Sequence, residues 1–295
     1  ALGIPIDSPV RNYKDASHKP ELVVALTRFE ALAGFRDPKR TVELLEALAV
    51  PELDPYVGLL AGQPDSNGLR ALFTTWITLP PPALSALLPR VLDGCVSYLA
   101  AGGNGDRDFV PEIRTALQLA DFYPGDAGVL ASLLLNRVTL QPGEGLYLDA
   151  GNLHAYLHGM GVEIMANSDN VLRGGLTPKH VDVPELLKVL DFGAASVPIL
   201  KAEEVAAFEW RYRTPAPEFA LSRFELGPGD VAPVAGGSPQ ILLCTAGIAR
   251  VECAGESVTL RPGDSAWLSA CDREPTVHGC AADTQVFRAQ LGEVS

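Results

Sequence analysis

The chain has 295 residues, 47% of them hydrophobic, with 28 Gly and 24 Pro, which marks a globular, turn-rich protein and excludes a disordered one. Its formal charge of −13 excludes nucleic acid and anionic membrane as general partners, so an anionic ligand would need cations gathered locally. No apolar run of membrane-spanning length and no leader is expected, and five cysteines without a CxxC pair fit reduced thiols in a cytoplasmic protein.

Residues 1–12 read as a loop with Pro5 and Pro9. The run after Pro20, Glu21 to Glu30, offers Val23 and Val24 for a strand but Ala25, Leu26 and Ala31 for a helix, and pattern alone leaves both open. From Asp37 to about Ala127 the apolar spacing is helical. Thr41–Leu48 follows an expected N-cap at Thr41, and Leu69–Thr78, Pro82–Ala101 and Pro111–Leu119 continue the pattern. Pro111 is placed at the first helical position, and Gly102-Gly103-Asn104-Gly105 is a break. The Leu and Ala stripes here are core and the charges solvated faces, so no chemistry is expected from this region.

Strands resume at Leu133–Leu140 and lead into Gly143–Asp182, the stretch richest in reactive side chains. Leu146–Leu148 reads as a strand and Ala150–Asn152 as a turn. His154 and Tyr156 then share one face of the next strand, which His158 can join. Glu163 lies on the following extended run, and Asp169, Arg173 and Lys179 are spread over a loop with Gly174, Gly175 and Pro178. Such a set would be a costly way to decorate a core, and it reads better as the wall of a pocket for a metal and an anionic substrate. His158 and His180 read as surface residues. The turn of Gly145, Ala150-Gly151 and His154 resembles the histidine turn of the cupins, which suggests a metal-bearing jelly roll.

A short helix is expected over Val183–Leu190, and a third region begins near Ala195. There, Phe219–Leu226, Gln240–Thr245, Ile248–Cys253 and Gln285–Ala289 run or alternate apolar between Gly and Pro turns, as in a second antiparallel roll. Thr139–Ala150 aligns without gaps on Thr259–Ala270, 120 residues later. Glu274 stands where the first copy has His154, so the second roll is expected to lack a metal.

Two blocks carry a family resemblance: NYKDASHKPELVVALTRFEALAGF, Asn12–Phe35, and HAYLHGMGVEIMANSDNVLRGGLTPKH, His154–His180. Both resemble the zinc-dependent type I phosphomannose isomerases nearly residue for residue. The resemblance implies a mainly β fold, with two cupin (jelly-roll) barrels and an α-helical insertion. Residues 1–36 and 128–194 would form the catalytic barrel, 37–127 the helical insertion and 195–295 a metal-free second barrel. It makes the Glu21 run a strand.

The implied activity is the interconversion of mannose 6-phosphate and fructose 6-phosphate through a cis-enediol, in a cytoplasmic monomer serving carbohydrate metabolism. Glu21 and His154 would be ligands of Zn2+, completed by a Gln-x-His pair in a segment ahead of Ala1, and without that pair the chain is expected to be nearly inactive. Arg173 is the implied catalytic cation, with Asp169 and His18 as proton-transfer groups. Lys19 and Lys179 would hold phosphate or sugar oxygens, and Glu163 and Tyr156 would line the pocket. Two alternatives stand beside the isomerase: a cupin that binds sugar phosphate without turnover, and an iron dioxygenase. The latter needs two or three histidines with a carboxylate, and only His154 is well placed.

Overall fold

The strand that follows Pro20 sets the plan of the molecule. In the computed structural model, which describes residues 3–102, 108–194 and 196–292, β1 (Glu21–Ala25) is buried along its whole length. Its β-branched pair, Val23 and Val24, sends one side chain to each face, which decides for the strand where composition was neutral. β1 lies between β4 (Glu144–Leu148) and β6 (Gly161–Met165), and β7 (Ile199–Lys201) extends the sheet to four strands, in the order β6-β1-β4-β7. A three-stranded sheet faces it: β3 (Leu135–Leu140), β2 (Phe29–Phe35) and β5 (His154–His158), in the order β3-β2-β5. Val23, Ala25, Phe29, Ala31, Leu146 and Leu148 fill the space between them.

Between β2 and β3 the chain makes α1 (Pro38–Ala47), a 3₁₀ turn (Pro51–Leu53), α2 (Asp54–Gly62), α3 (Ser66–Ile77), α4 (Pro81–Ala100), α5 (Val110–Phe122) and α6 (Gly128–Ser132). They share a core with Leu32 and Phe35 of β2, in which Phe35, Phe73 and Phe192 pack ring on ring at 4.9–5.8 Å between centroids. Such aromatic contacts contribute about 0.5–1.5 kcal/mol each beyond their burial.

The first cap differs from the sequence expectation. Asp37, not Thr41, caps α1, accepting from the Lys39 and Arg40 amides at 2.9 and 3.0 Å. Thr41 sits inside the helix, buried, with its hydroxyl donating back to the Asp37 carbonyl at 3.1 Å. Pro111 is the second residue of α5, behind Val110. Leu133 and Leu134, which read as strand, form the turn after α6, and of the glycine break Gly103, Asn104 and Gly105 lie outside the described residues, as does Ala195. α4 also exceeds expectation: by length and composition its 20 residues are long and apolar enough to cross a membrane. Here Leu87, Leu88, Val91, Cys95 and Tyr98 form one face of it, buried in the helical core.

After α7 (Val183–Val189) and β7 the remaining strands form a second β unit. Its six-stranded sheet runs β15 (Ser265–Leu268), β12 (Gln240–Ala246), β17 (Thr284–Gln290), β10 (Ala220–Leu226), β9 (Glu209–Tyr212) and β8 (Glu203–Ala206). Opposite lies a four-stranded sheet of β11 (Val231–Pro233), β16 (Thr276–Gly279), β13 (Ala249–Cys253) and β14 (Glu256–Leu260). The repeat noted in the sequence is a repeat of structure. Thr139-Leu140 and Thr259-Leu260 end β3 and β14, and each is followed by a Pro-Gly turn and the next strand, β4 or β15. Gln141 N donates to Glu144 at 2.8 Å in one turn, and Arg261 N donates to Asp264 at 2.9 Å in the other. The two units meet through Leu22 and Val24 of β1 against Tyr212, Ala216, Phe219, Leu221 and Phe287.

Candidate metal centre and substrate cavity

Glu21 opens β1 and His154 opens β5, on opposite sheets of the first β unit. The fold closes the distance that sequence leaves open: His154 Nε2 lies 3.1 Å from Glu21 Oε2. His154 Nδ1 is 2.9 Å from the Asn152 carbonyl, which fixes Nδ1 as the protonated nitrogen and Nε2 as the one free to bind. The turn before it needs Gly151, whose φ is +84° and where a Cβ would meet the Val189 carbonyl at 2.6 Å. Lys19 Nζ is 2.9 Å from the other oxygen, Glu21 Oε1.

Burial pushes the Glu21 carboxyl up, but the hydrogen bonds and charges of His154 and Lys19 outweigh it and hold its pKa below the ordinary Glu value. Burial likewise pushes His154 down, and the hydrogen bonds to Glu21 and the Asn152 carbonyl, with the charges of Glu21 and Glu163, outweigh it upward. An ionised carboxylate beside an imidazole with its far nitrogen tied back is a donor set that suits zinc. Among the described residues no group of three or more His, Cys, Asp or Glu is arranged to hold a metal ion, so this pair is the candidate.

The pair lies in the wall of a cavity of about 680 Å³, within the usual range for small-molecule sites. His18, Lys19, Glu163 and Arg173 line it as well. Arg173 is half-buried and engages no hydrogen bond or ion pair with any described residue, so its guanidinium is free to take an anion. Tyr156 is not part of the lining. Its hydroxyl donates to Glu163, its ring packs edge-on against Phe29, and burial and then Glu163 push its pKa upward. Asp169 and Lys179 are exposed and also lie outside the lining. His18 Nε2 sits 2.9 Å from Glu218 of the second β unit, a residue that no sequence signal marked.

The two sequence blocks interlock around this cavity. Asn170 accepts from the Lys14 and Asp15 amides at 2.7 and 3.2 Å and donates to the Ser17 carbonyl at 2.8 Å. Asp15 accepts from Ser168 Oγ and the Asp169 amide, both at 2.9 Å, and the backbone bond from Asp169 leads the causes that hold its pKa below the usual carboxylate range. Asn12 reaches Asp182 at 2.7 Å and Tyr13 reaches Glu185 at 2.9 Å. The loop that carries Lys19 and leads into Glu21 is thereby bonded to the loop that carries Arg173.

Comparison with known proteins gives this geometry a family. The family model described as the phosphomannose isomerase type I catalytic domain matches residues 3–38. Mannose-6-phosphate isomerase of Escherichia coli is 38% identical over 291 residues, covering 97% of this chain and 70% of the relative. The Homo sapiens enzyme of the same name is 34% identical over 95% of this chain and 69% of the relative. Among solved structures, the Salmonella typhimurium enzyme described as bound to substrate (f6p) and zinc superposes with a TM-score of 0.85. It is 32% identical and covers 99% of this chain and 71% of that one. The chain belongs to the type I phosphomannose isomerases, also named mannose-6-phosphate isomerases.

Proposed function

We propose that the chain interconverts mannose 6-phosphate and fructose 6-phosphate, with zinc held through Glu21 and His154. The observation that carries this reading is the convergence of those two side chains, 3.1 Å apart, in a cavity also lined by Arg173, which pairs with no described residue. The relatives bearing the enzyme's name, and the neighbour described with fructose 6-phosphate and zinc, support it.

Moving a proton between adjacent carbons of a sugar places negative charge on their oxygens, passes through a cis-enediol, and needs an acid and a base near neutral pH. Held by Glu21 and His154, zinc would supply a redox-inert Lewis acid for that charge. Arg173 presents paired N–H donors to an oxyanion or to the phosphate, and Lys19 adds positive charge at the same wall, a local answer to the net charge of −13. His18 is the proton-transfer group at the cavity wall, with Asp169 as second candidate in the loop bonded to Asp15. Glu163, steadied by Tyr156, orients a sugar hydroxyl or water, and Lys179 approaches the phosphate from the rim.

For the architecture, the reading is two jelly rolls of the cupin kind. The first comprises residues 1–36 and 128–194 and carries the metal, with 37–127 inserted and 195–295 as a metal-free copy. The matching turns and strand orders of the two β units support it. The chain acts as a monomer in the cytoplasm.

The test is a coupled assay of mannose 6-phosphate conversion together with metal analysis, before and after a chelator. In the protein that also carries the Gln-x-His pair, turnover that the chelator abolishes and zinc restores is expected. Arg173→Ala should lower turnover by about 10²–10³-fold with zinc content unchanged, whereas Glu21→Ala should lose zinc. Equal zinc loss in both variants would overturn the role given to Arg173. Sugar-phosphate binding that ignores the chelator, without turnover, would replace the isomerase with a binding module.

A further inference from the structure

His18 faces the cavity, yet one of its ring nitrogens is already engaged: Nε2 lies 2.9 Å from Glu218 Oε1. Glu218 comes from the connection between β9 and β10, in the other β unit, and that connection is pinned. Ala216 and Phe219, on either side of Glu218, are buried in the cluster that packs the C-terminal sheet on β1, the strand that begins at Glu21. Behind them, Gly292 lies so close to the Pro217 carbonyl that any Cβ there would collide with it. The second carboxylate oxygen, Glu218 Oε2, is buried with no hydrogen-bond partner, so His18 is the one group on which this carboxylate acts through a hydrogen bond among the described residues.

From this geometry we infer that Glu218 is a positioning residue: it fixes the ring of His18 and directs Nδ1 into the cavity. A neutral imidazole that donates Nε2–H to a carboxylate carries its lone pair on Nδ1. It can take a proton there, and Glu218 stabilises the imidazolium that forms without itself gaining or losing a proton. Isomerisation consumes no net proton, so the one accepted at Nδ1 is given back in the same turnover. The second β unit thus contributes to the chemistry of the first through a single carboxylate, held in place by the interface between them. The inference rests on the isomerase reading for what His18 does, but not for how its ring is held.

Two measurements test it. Nitrogen NMR of the His18 ring in the zinc-loaded protein should show the Nε2–H tautomer, kept in Glu218→Gln, which retains an acceptor, and replaced by a mixture in Glu218→Ala. Turnover of Glu218→Ala should fall about 10–100-fold, with KM and zinc content within twofold of the parent, and Glu218→Gln should recover most of it. In a His18→Asn background, Glu218→Ala should change turnover no further. A His18 spectrum unaffected by Glu218→Ala, or losses that multiply in the double variant, would overturn the proposal. A zinc-loaded parent that binds sugar phosphate without turnover would instead overturn the isomerase reading, and the ring spectrum would still decide the role of Glu218.

Discussion

The two β units are the same backbone plan carrying opposite charges. Strand register makes the correspondence explicit. Glu21 pairs with Leu148 as Gln240 pairs with Leu268, and Val23 faces Glu163 as Leu242 faces Arg288. In the other sheets Glu30 stands between Thr139 and His158, and Arg250 between Thr259 and His278. The metal-candidate carboxylate of the first unit is therefore an amide in the second, and the carboxylate across the strand is a guanidinium. Arg288 is 1% exposed and lies 3.0 Å from Glu209, which also accepts from Ser222 at 2.6 Å. The first unit sets Glu21 beside His154 and Lys19 in an open cavity wall, whereas the second buries Arg288 against Glu209. The space between two packed sheets tolerates either solution, provided the charges balance.

The largest effect should come from unbalancing the second unit. Glu209→Ala leaves Arg288 buried and unpaired, which should destabilise by about 3–5 kcal/mol, while Glu209→Leu with Arg288→Met should be nearly neutral. Denaturant unfolding of the three proteins checks this. A double variant as unstable as the single one would show that the pair holds the sheet in some way beyond charge balance.

Next in size is making the first unit resemble the second. Glu21→Gln keeps the shape and removes the charge, so zinc affinity should fall by more than the roughly 10–100-fold that losing an outer partner costs. The reverse change, Gln240→Glu, should not raise zinc stoichiometry, because Arg288 remains across the strand. Competition with a chromogenic chelator measures both, and a second zinc in Gln240→Glu would break the comparison.

A smaller effect concerns pH in the metal-free protein. Glu21 has a depressed pKa, so its contribution to stability is present above the ordinary Glu value and is lost as pH falls through the folded one. His154 is raised, so its contribution is complete below the ordinary His value and is lost as pH rises through the folded one. The pair should therefore stabilise most between the ordinary Glu and His values. Melting curves with chelator present should show the advantage of the parent over Glu21→Gln peaking there and shrinking in acid. An advantage that grows as pH falls would reverse the sign assigned to Glu21.

Much of this plan was legible in the sequence, for local reasons. The repeat around Thr139 and Thr259 was readable because a Pro-Gly turn followed by an acid makes the same hydrogen bonds wherever it occurs. The helices α3, α4 and α5 were readable from their apolar period, whereas α2, apolar on most sides, gave none. The cap was misplaced because Asp37 and Thr41 are both good cappers, and only the fold shows which one precedes the first turn. The approach of Glu21 to His154 followed from family resemblance, not from spacing, since the helical region separates them. Lys19, expected on substrate, also lies on Glu21, and the Glu218–His18 contact joins segments that no periodicity links.

The finest distinction lies in the repeated turn itself. Gly143 and Gly263 occupy equivalent places with φ of +86° and +96°, so alanine at either should cost about 1–2 kcal/mol for the left-handed backbone alone. At Gly263 nothing lies within 4 Å of an added Cβ. At Gly143 it would run into Arg223 Nη1, which donates to the Tyr212 hydroxyl at 2.7 Å, while that hydroxyl donates to the Gly143 carbonyl at 2.9 Å. The first copy of the turn is thus clasped by the second β unit, and Arg223, ion-paired with Glu225 and half enclosed, has little room to retreat. Gly143→Ala should therefore lose about 1 kcal/mol more than Gly263→Ala, the scale of a displaced hydrogen bond. Equal losses would mean that the clasp shifts freely, and that the two units are joined by the apolar contacts of β1 alone.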